Sequence, residues 1–188
     1  VFAETFYAGL NSFVLLSIPM FILMGMAVAN SPAGKDLYTG LDRWLWRVPG
    51  GLVISNIGAC SIFAALSGSS PATCAAIGTM GIPEMRKRGY SDQIATGTIA
   101  AGGTLGVLIP PSIVLIVYGM ATGTSIGRLF LAGIVPGFML ASLFAVWALI
   151  HSYFIDKNAA KLLRNRKPPT LREKFEVLPR IFPFLAII

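Results

Sequence analysis

Four long stretches of this 188-residue chain carry no charge, and the recurrence of apolar positions within and between them predicts helices throughout. From Leu10 to Ala29 the only breaker is Pro19, and the length predicts a first transmembrane helix within residues 1–30. Ser31-Pro32 then supplies an N-cap followed by proline at the first helical position. Leu37, Leu41, Trp44, Leu45 and Val48 recur at helical spacing, with Lys35, Asp42, Arg43 and Arg47 elsewhere on the wheel. Residues 31–49 therefore read as an amphipathic helix lying in the membrane interface, with Trp44 and Trp46 at headgroup level.

Residues 50–83 hold no charge over 34 positions, too long for one span, and Ser67-Gly68-Ser69-Ser70-Pro71 breaks them near the middle. The first limb, Gly51 to Leu66, has 16 residues and the second, Ala72 to Ile82, only 11. At 1.5 Å per residue the second limb reaches about 16 Å, half of the roughly 30 Å hydrocarbon core. A re-entrant hairpin fits these lengths; two full spans do not. Residues 91–122 carry no charge beyond Asp92 and are interrupted by Gly102-Gly103-Thr104-Leu105-Gly106 and by Pro110-Pro111. This predicts a broken transmembrane helix whose halves meet at an unwound stretch. Residues 128–155 predict a further transmembrane helix, 156–180 a basic cytoplasmic connection, and 181–188 the start of another span.

Charge distribution tests this layout. With the hairpin returning to its own side, fourteen of the 15 Lys and Arg residues share one face and only Arg128 lies on the other. A single crossing at 50–83 spoils the segregation. Val1 to Gly9 are then expected outside the cell membrane. The net charge of +7 could suggest nucleic-acid binding, but the basic residues sit in short loops between apolar runs, which argues against nucleic acid as a partner. Only 12% of residues are charged, against roughly 25% in a soluble domain, and 55% are apolar, so the lipid bilayer is the main solvent. The 20 Gly and 12 Pro exceed what smooth spanning helices need. Cys60 and Cys74 lie in uncharged apolar stretches, where packing thiols are expected rather than a disulfide. The chain starts without Met and stops inside an apolar run, as expected of a piece of a longer protein.

Half-helices that meet at mid-membrane expose backbone groups that a continuous helix satisfies internally. C-terminal ends offer carbonyl oxygens to Na⁺, and N-terminal ends offer N–H groups to a carboxylate. The sequence places carbonyl ends at Leu66–Ser69 and Ala101–Thr104, and N-terminal ends at Ser69–Pro71 and Pro111–Ile113. Candidate sodium ligands are thus Ser67, Gly68, Ser69, Gly102, Gly103, Thr104 and Asn56, and candidate substrate-binding residues are Ser70, Pro71, Pro110, Pro111 and Ser112. Breaks rich in Gly and Ser also serve as plain close-packing sites, Gly102-x-x-x-Gly106 being such a motif, and an interhelical hydrogen bond is an equal use for Asn56.

No cofactor is expected, Na⁺ being the coupling ion, and no other metal. The one histidine, His151, sits near the cytoplasmic end of a span, and there is no His/Cys metal spacing, no Gly-x-x-x-x-Gly-Lys loop and no Ser/His/Asp set. The chain therefore reads as no enzyme. No charged side chain lies inside an apolar run, which argues against a buried proton path. Arg86-Lys87-Arg88 reads as a topological anchor.

In order and spacing, several segments resemble the large membrane (M) subunit of tripartite ATP-independent periplasmic (TRAP) transporters, the DctM-like family. They are Ser17-Ile18-Pro19-Met20-Phe21-Ile22-Leu23-Met24-Gly25, Val48-Pro49-Gly50-Gly51, Ser67-Gly68-Ser69-Ser70-Pro71-Ala72-Thr73, Ile82-Pro83-Glu84-Met85 and Arg88-Gly89-Tyr90, then the run from Gly102 to Ser112 and the run from Ser125 to Gly133. The resemblance covers most of the chain. It implies an all-α integral membrane protein that supplies the first inverted repeat of an elevator fold of the ion-transporter superfamily, with a re-entrant helical hairpin and a broken transmembrane helix. It also implies Na⁺-coupled import of a small organic acid, C4-dicarboxylate-like or another carboxylate, across the bacterial inner membrane. The implied partners are a small four-helix membrane subunit and a periplasmic solute-binding protein. Many members carry an acidic residue where this chain has Thr73, so a charge-based role does not carry over. Two other readings stay open: a stand-alone Na⁺/dicarboxylate symporter of the same superfamily, and a channel or scaffold that shows no saturable uptake.

Overall fold

The computed structural model describes residues 13–48 and 50–151, with Glu4 and Pro179 besides. Apart from those two positions, the expectations for Val1–Gly9, 156–180 and 181–188 lie outside the described residues. Between Phe13 and Ile150 the described chain forms seven helices and no strand. They are α1 Phe13–Ala29, α2 Ala33–Trp44, α3 Gly51–Ser67, α4 Ser70–Lys87, α5 Asp92–Leu108, α6 Ile113–Thr122 and α7 Ile126–Ile150. The unit Asp92–Thr122 and α7 are each long and apolar enough to cross a membrane.

Helix α3 is apolar all round and lies at the centre, packed against α1, α2, α4, α5 and α7. Phe63, Ala59, Cys60 and Leu66 on α3 meet Leu37 of α2, Ala76 and Ile77 of α4 and Ile99 of α5 in one cluster. Toward the other end, Leu52, Val53 and Ile57 meet Tyr38, Met85, Ala95 and Ala148. In lipid, tails are as apolar as these side chains, so the clusters gain van der Waals contact rather than hydrophobic transfer energy. Small residues set the spacing. A Cβ added to Gly102 of α5 would lie 2.8 Å from Cys60 Cβ, and one added to Gly103 would overlap Cys74 Sγ. Both cysteines are free and serve as packing thiols.

Three of the boundaries differ from the sequence reading. Helix α5 runs unbroken through Gly102–Gly106 and ends at Leu108, so the break falls at 109–112 rather than at Ala101–Thr104. Each glycine costs about 1 kcal/mol of propensity against alanine but keeps its backbone donor, and the three buried glycines sit where α3 and α4 approach. Pro110-Pro111, joined by a cis peptide bond, removes two donors in succession, and there the helix ends. Helix α4 has 18 residues and continues through Pro83 to Lys87, about 27 Å, well beyond the short limb expected. Ser31 does not cap α2; Pro32 holds the N-cap position, and the Ser31 hydroxyl donates to the Val28 carbonyl at the end of α1. The apolar face of α2 is turned inward: Leu37 is fully buried and Tyr38 nearly so, while Trp44 is exposed.

Arg88 joins two helices through its side chain. Its Nη1 and Nη2 donate to Asp42 Oδ1 and Oδ2 at 3.2 and 3.0 Å, and its Nε and Nη2 donate to Glu84 Oε1 at 2.9 and 2.6 Å. This clasp ties α2 to the end of α4.

Candidate functional site

A two-residue turn joins α3 to α4, and local chemistry explains its tightness. Gly68 closes α3 with φ +59, a left-handed C-cap whose N–H donates to the Ala64 carbonyl at 2.8 Å. Ser69 is the N-cap of α4; its Oγ accepts from Ala72 N–H at 3.5 Å, and Pro71 follows in the first turn. Ser67, fully buried, shares a hydroxyl–hydroxyl hydrogen bond of 3.2 Å with Thr73, and Thr73 Oγ1 donates to the Ser69 carbonyl at 2.8 Å. Thr73 thus fastens both sides of the turn with a neutral hydroxyl.

The second break meets this turn directly. The Gly68 carbonyl accepts the N–H of Ile113, the first residue of α6, at 3.1 Å. A Cβ on Gly68 would lie 2.6 Å from the Pro111 carbonyl oxygen, and one on Gly106 would lie 2.8 Å from Ser70 N. Gly25 of α1 closes the remaining side, its hypothetical Cβ 3.1 Å from the Ser67 carbonyl oxygen. Two helix N-termini, those of α4 and α6, therefore start beside one another. At each start sits a serine whose buried hydroxyl has no hydrogen-bond partner among the described residues: Ser70 on α4 and Ser112 at the N-cap of α6. Buried polar atoms are paired in the great majority of cases, so two orphans at one junction mark it.

Of the candidate ligands, the fold brings together Ser67, Gly68, Ser69, Ser70, Pro111 and Ser112. Pro71 is exposed beside the turn, and Pro110 lines an apolar groove between α3 and α7. Gly102 and Gly103 lie within α5 as close-packing positions. Thr104 is exposed, with Oγ1 donating to the Ala101 carbonyl at 2.7 Å, so it is not brought to the junction. Asn56 lies about 16 Å up α3 from Ser67 and donates through Nδ2 to Met85 Sδ at 2.8 Å, the interhelical use left open above. The sequence reading gives Thr73 no place in the site. Thr73 had a signal: a hydroxyl four residues after a serine N-cap can reach back to that serine's carbonyl.

These features define a helical membrane protein with a polar junction of interrupted helices. The model of the family described as the tripartite ATP-independent periplasmic transporter, DctM component, matches residues 1–188. Relatives agree with it. The isethionate TRAP transporter permease protein DctMQ of Oleidesulfovibrio alaskensis is 40% identical over 156 residues, 83% of this chain and 24% of its own. The C4-dicarboxylate TRAP transporter large permease protein DctM of Vibrio cholerae is 46% identical over 144 residues, 77% of this chain and 32% of its own. The ectoine TRAP transporter large permease protein TeaC of Halomonas elongata is 39% identical over 145 residues, 77% and 34% respectively. The chain belongs to the DctM family of TRAP transporter large permeases, and it spans about a quarter to a third of the length of these relatives.

Proposed function

We propose that the chain forms one half of the transport path of a TRAP permease, carrying a small organic anion across the bacterial inner membrane in step with Na⁺. The observation that carries this reading is the junction of Ser70 and Ser112: two buried, unpartnered hydroxyls at adjoining helix N-termini. N-termini favour negative charge through their free N–H groups and dipole, which suits a substrate carboxylate. Neutral oxygens from the turn 67–69, together with the last carbonyls of α5, suit Na⁺ without placing a charged side chain in lipid. The sodium ligands are therefore reassigned from Ala101–Thr104 toward the end of α5. On this reading α3–α4 is a re-entrant hairpin, α5–α6 a broken span, and both belong to the moving body of an elevator-type carrier.

The named relatives are described as transporting isethionate, C4-dicarboxylates and ectoine. Isethionate is a sulfonate and ectoine a zwitterion, so the shared feature is an anionic group rather than one carbon skeleton. A small membrane subunit and a periplasmic solute-binding protein complete the assembly. One Na⁺ moving inward gains about 2.3 kcal/mol per 100 mV, a monoanionic substrate moving with it costs the same amount, and the potential therefore adds to uptake only when Na⁺ charges outnumber substrate charges. The test is uptake of radiolabelled substrate by the complete assembly in proteoliposomes. Uptake that stops when Na⁺ is replaced supports the coupling; uptake that persists with Na⁺ replaced and the potential collapsed overturns it.

A further inference from the structure

A second polar site lies away from the junction, where α2 crosses the charged end of α4. A cavity of about 410 Å³ opens there, lined by Lys35, Tyr38, Asp42, Glu84, Lys87 and Arg88 among others. Its charges are not evenly matched. Arg88 is engaged on both carboxylates at once, taking Asp42 through two nitrogens and Glu84 through two. Lys35 makes no ion pair among the described residues, and Lys87 reaches Glu84 only at 4.0 Å with its side chain largely exposed. With three basic and two acidic side chains the lining carries one net positive charge, and Lys35 is its basic group with no carboxylate partner among the described residues. Tyr38 adds a directional group: the residue is 5% exposed, and its buried hydroxyl has no partner among the described residues. Burial, with Asp42 next, pushes the Tyr38 phenol well above its ordinary value, so it is a neutral donor at every physiological pH.

Two ammonium groups and an O–H donor around a cavity of this size fit a compact tetrahedral oxyanion with several acceptor oxygens. A carboxylate-lined cation site would present its oxygens to the opening, whereas here Arg88 holds both oxygens of Asp42 and Oε1 of Glu84, and Glu84 Oε2 faces Lys87 at 4.0 Å. We infer that the cavity between α2 and α4 binds a phosphate group through Lys35, Lys87 and the Tyr38 hydroxyl. Two sources carry that chemistry on a membrane face rich in basic residues: the headgroup of an anionic phospholipid, and free phosphate. The site is independent of the transport reading, because neither Ser70 nor Ser112 lines it.

The experiment uses the full-length permease in nanodiscs. Wild type is compared in phosphatidylcholine alone, in phosphatidylcholine with phosphatidylglycerol, and in phosphatidylcholine with added inorganic phosphate. The expected result is a thermal midpoint higher by about 3 °C with one of the two additions. A rise with phosphatidylglycerol assigns the headgroup, and a rise with inorganic phosphate assigns the free anion. The double variant K35Q/K87Q should lose the rise, and Tyr38→Phe should lose part of it. The charge-matched control R47Q/R86Q, whose residues do not line the cavity, should keep it. Because the lysine side chains are at the mouth, the midpoint of K35Q/K87Q in phosphatidylcholine alone should match wild type and so report intact folding. No rise with either addition, or a full rise in K35Q/K87Q or in Tyr38→Phe, overturns the site.

Discussion

Gly68 and Ile113 are joined through their main chains, the carbonyl of one accepting the N–H of the other at 3.1 Å. The bond satisfies an orphan carbonyl at the end of α3 and an orphan donor at the start of α6 in one step. Gly68 is also where a side chain fits worst, with φ +59 and the Pro111 carbonyl 2.6 Å from the Cβ position. Gly68→Ala should destabilise the permease by on the order of 2 kcal/mol, combining the left-handed strain with displacement of Pro111. Thermal unfolding measures the loss, and uptake should fall with it.

Ser70→Ala and Ser112→Ala should separate function from stability. Neither hydroxyl gives up a protein hydrogen bond on removal, and an unpaired buried polar group costs about 1–3 kcal/mol. The thermal midpoint should hold or rise while uptake drops at least about 10-fold, the latter equivalent to about 1.4 kcal/mol. Wild-type uptake in both variants would remove the junction from the transport path. Thr104→Val, on the exposed side of α5, should leave uptake unchanged.

Gly103→Ala places a methyl group on Cys74 Sγ and should slow uptake by forcing α5 away from α4. Cys74→Ala removes the obstructing sulfur, so the double variant should recover most of the loss. Additive losses in this double-mutant cycle would show that the two residues do not meet.

Ser69→Ala should cost about 0.5–1 kcal/mol, the low end for an N-cap, because its bond to Ala72 N–H is long at 3.5 Å. Uptake should fall as well, because the lost hydroxyl is one of the neutral oxygens proposed for Na⁺, while the Ser69 main-chain carbonyl that accepts from Thr73 stays in place.

Arg88→Met and Asp42→Asn should differ in size. Losing Arg88 takes the bidentate partner from two partly buried carboxylates, on the order of 2–3 kcal/mol, whereas Asp42→Asn leaves Arg88 its bonds to Glu84. Burial raises the Asp42 pKa above its ordinary value, Arg88 pulling it back. Without Arg88 the native value rises further. A raised native pKa contributes stability that is fully present below the unfolded value of about 3.9 and is lost as pH rises through the native value. Arg88→Met should therefore regain stability as pH falls from neutrality through the raised native value, more than wild type does, and thermal unfolding on the acid side of neutrality measures it.

The helices were legible because uncharged runs and capping residues are local signals. Ser67 through Pro71 announced a turn through glycine, a serine cap and a proline, and the turn stands there. The end of α5 was misplaced because glycine and proline were read as equivalent breakers. Packing against Cys60 and Cys74 holds Gly102 and Gly103 in a helix, and no local pattern encodes that contact. The Arg88 clasp on Asp42 joins positions 46 residues apart whose pairing depends on how helices pack, and no local pattern encodes it.

Helix α4 is one continuous rod with the serine turn at its head and the Arg88 clasp just past its foot. Of the clasp's two carboxylates, Glu84 lies on α4 itself and Asp42 on α2, so the Asp42 pair is the link between the two helices. The clasp thus fixes the foot of α4 to α2, and any displacement of α4 along its axis relative to α2 must first break the Arg88–Asp42 pair.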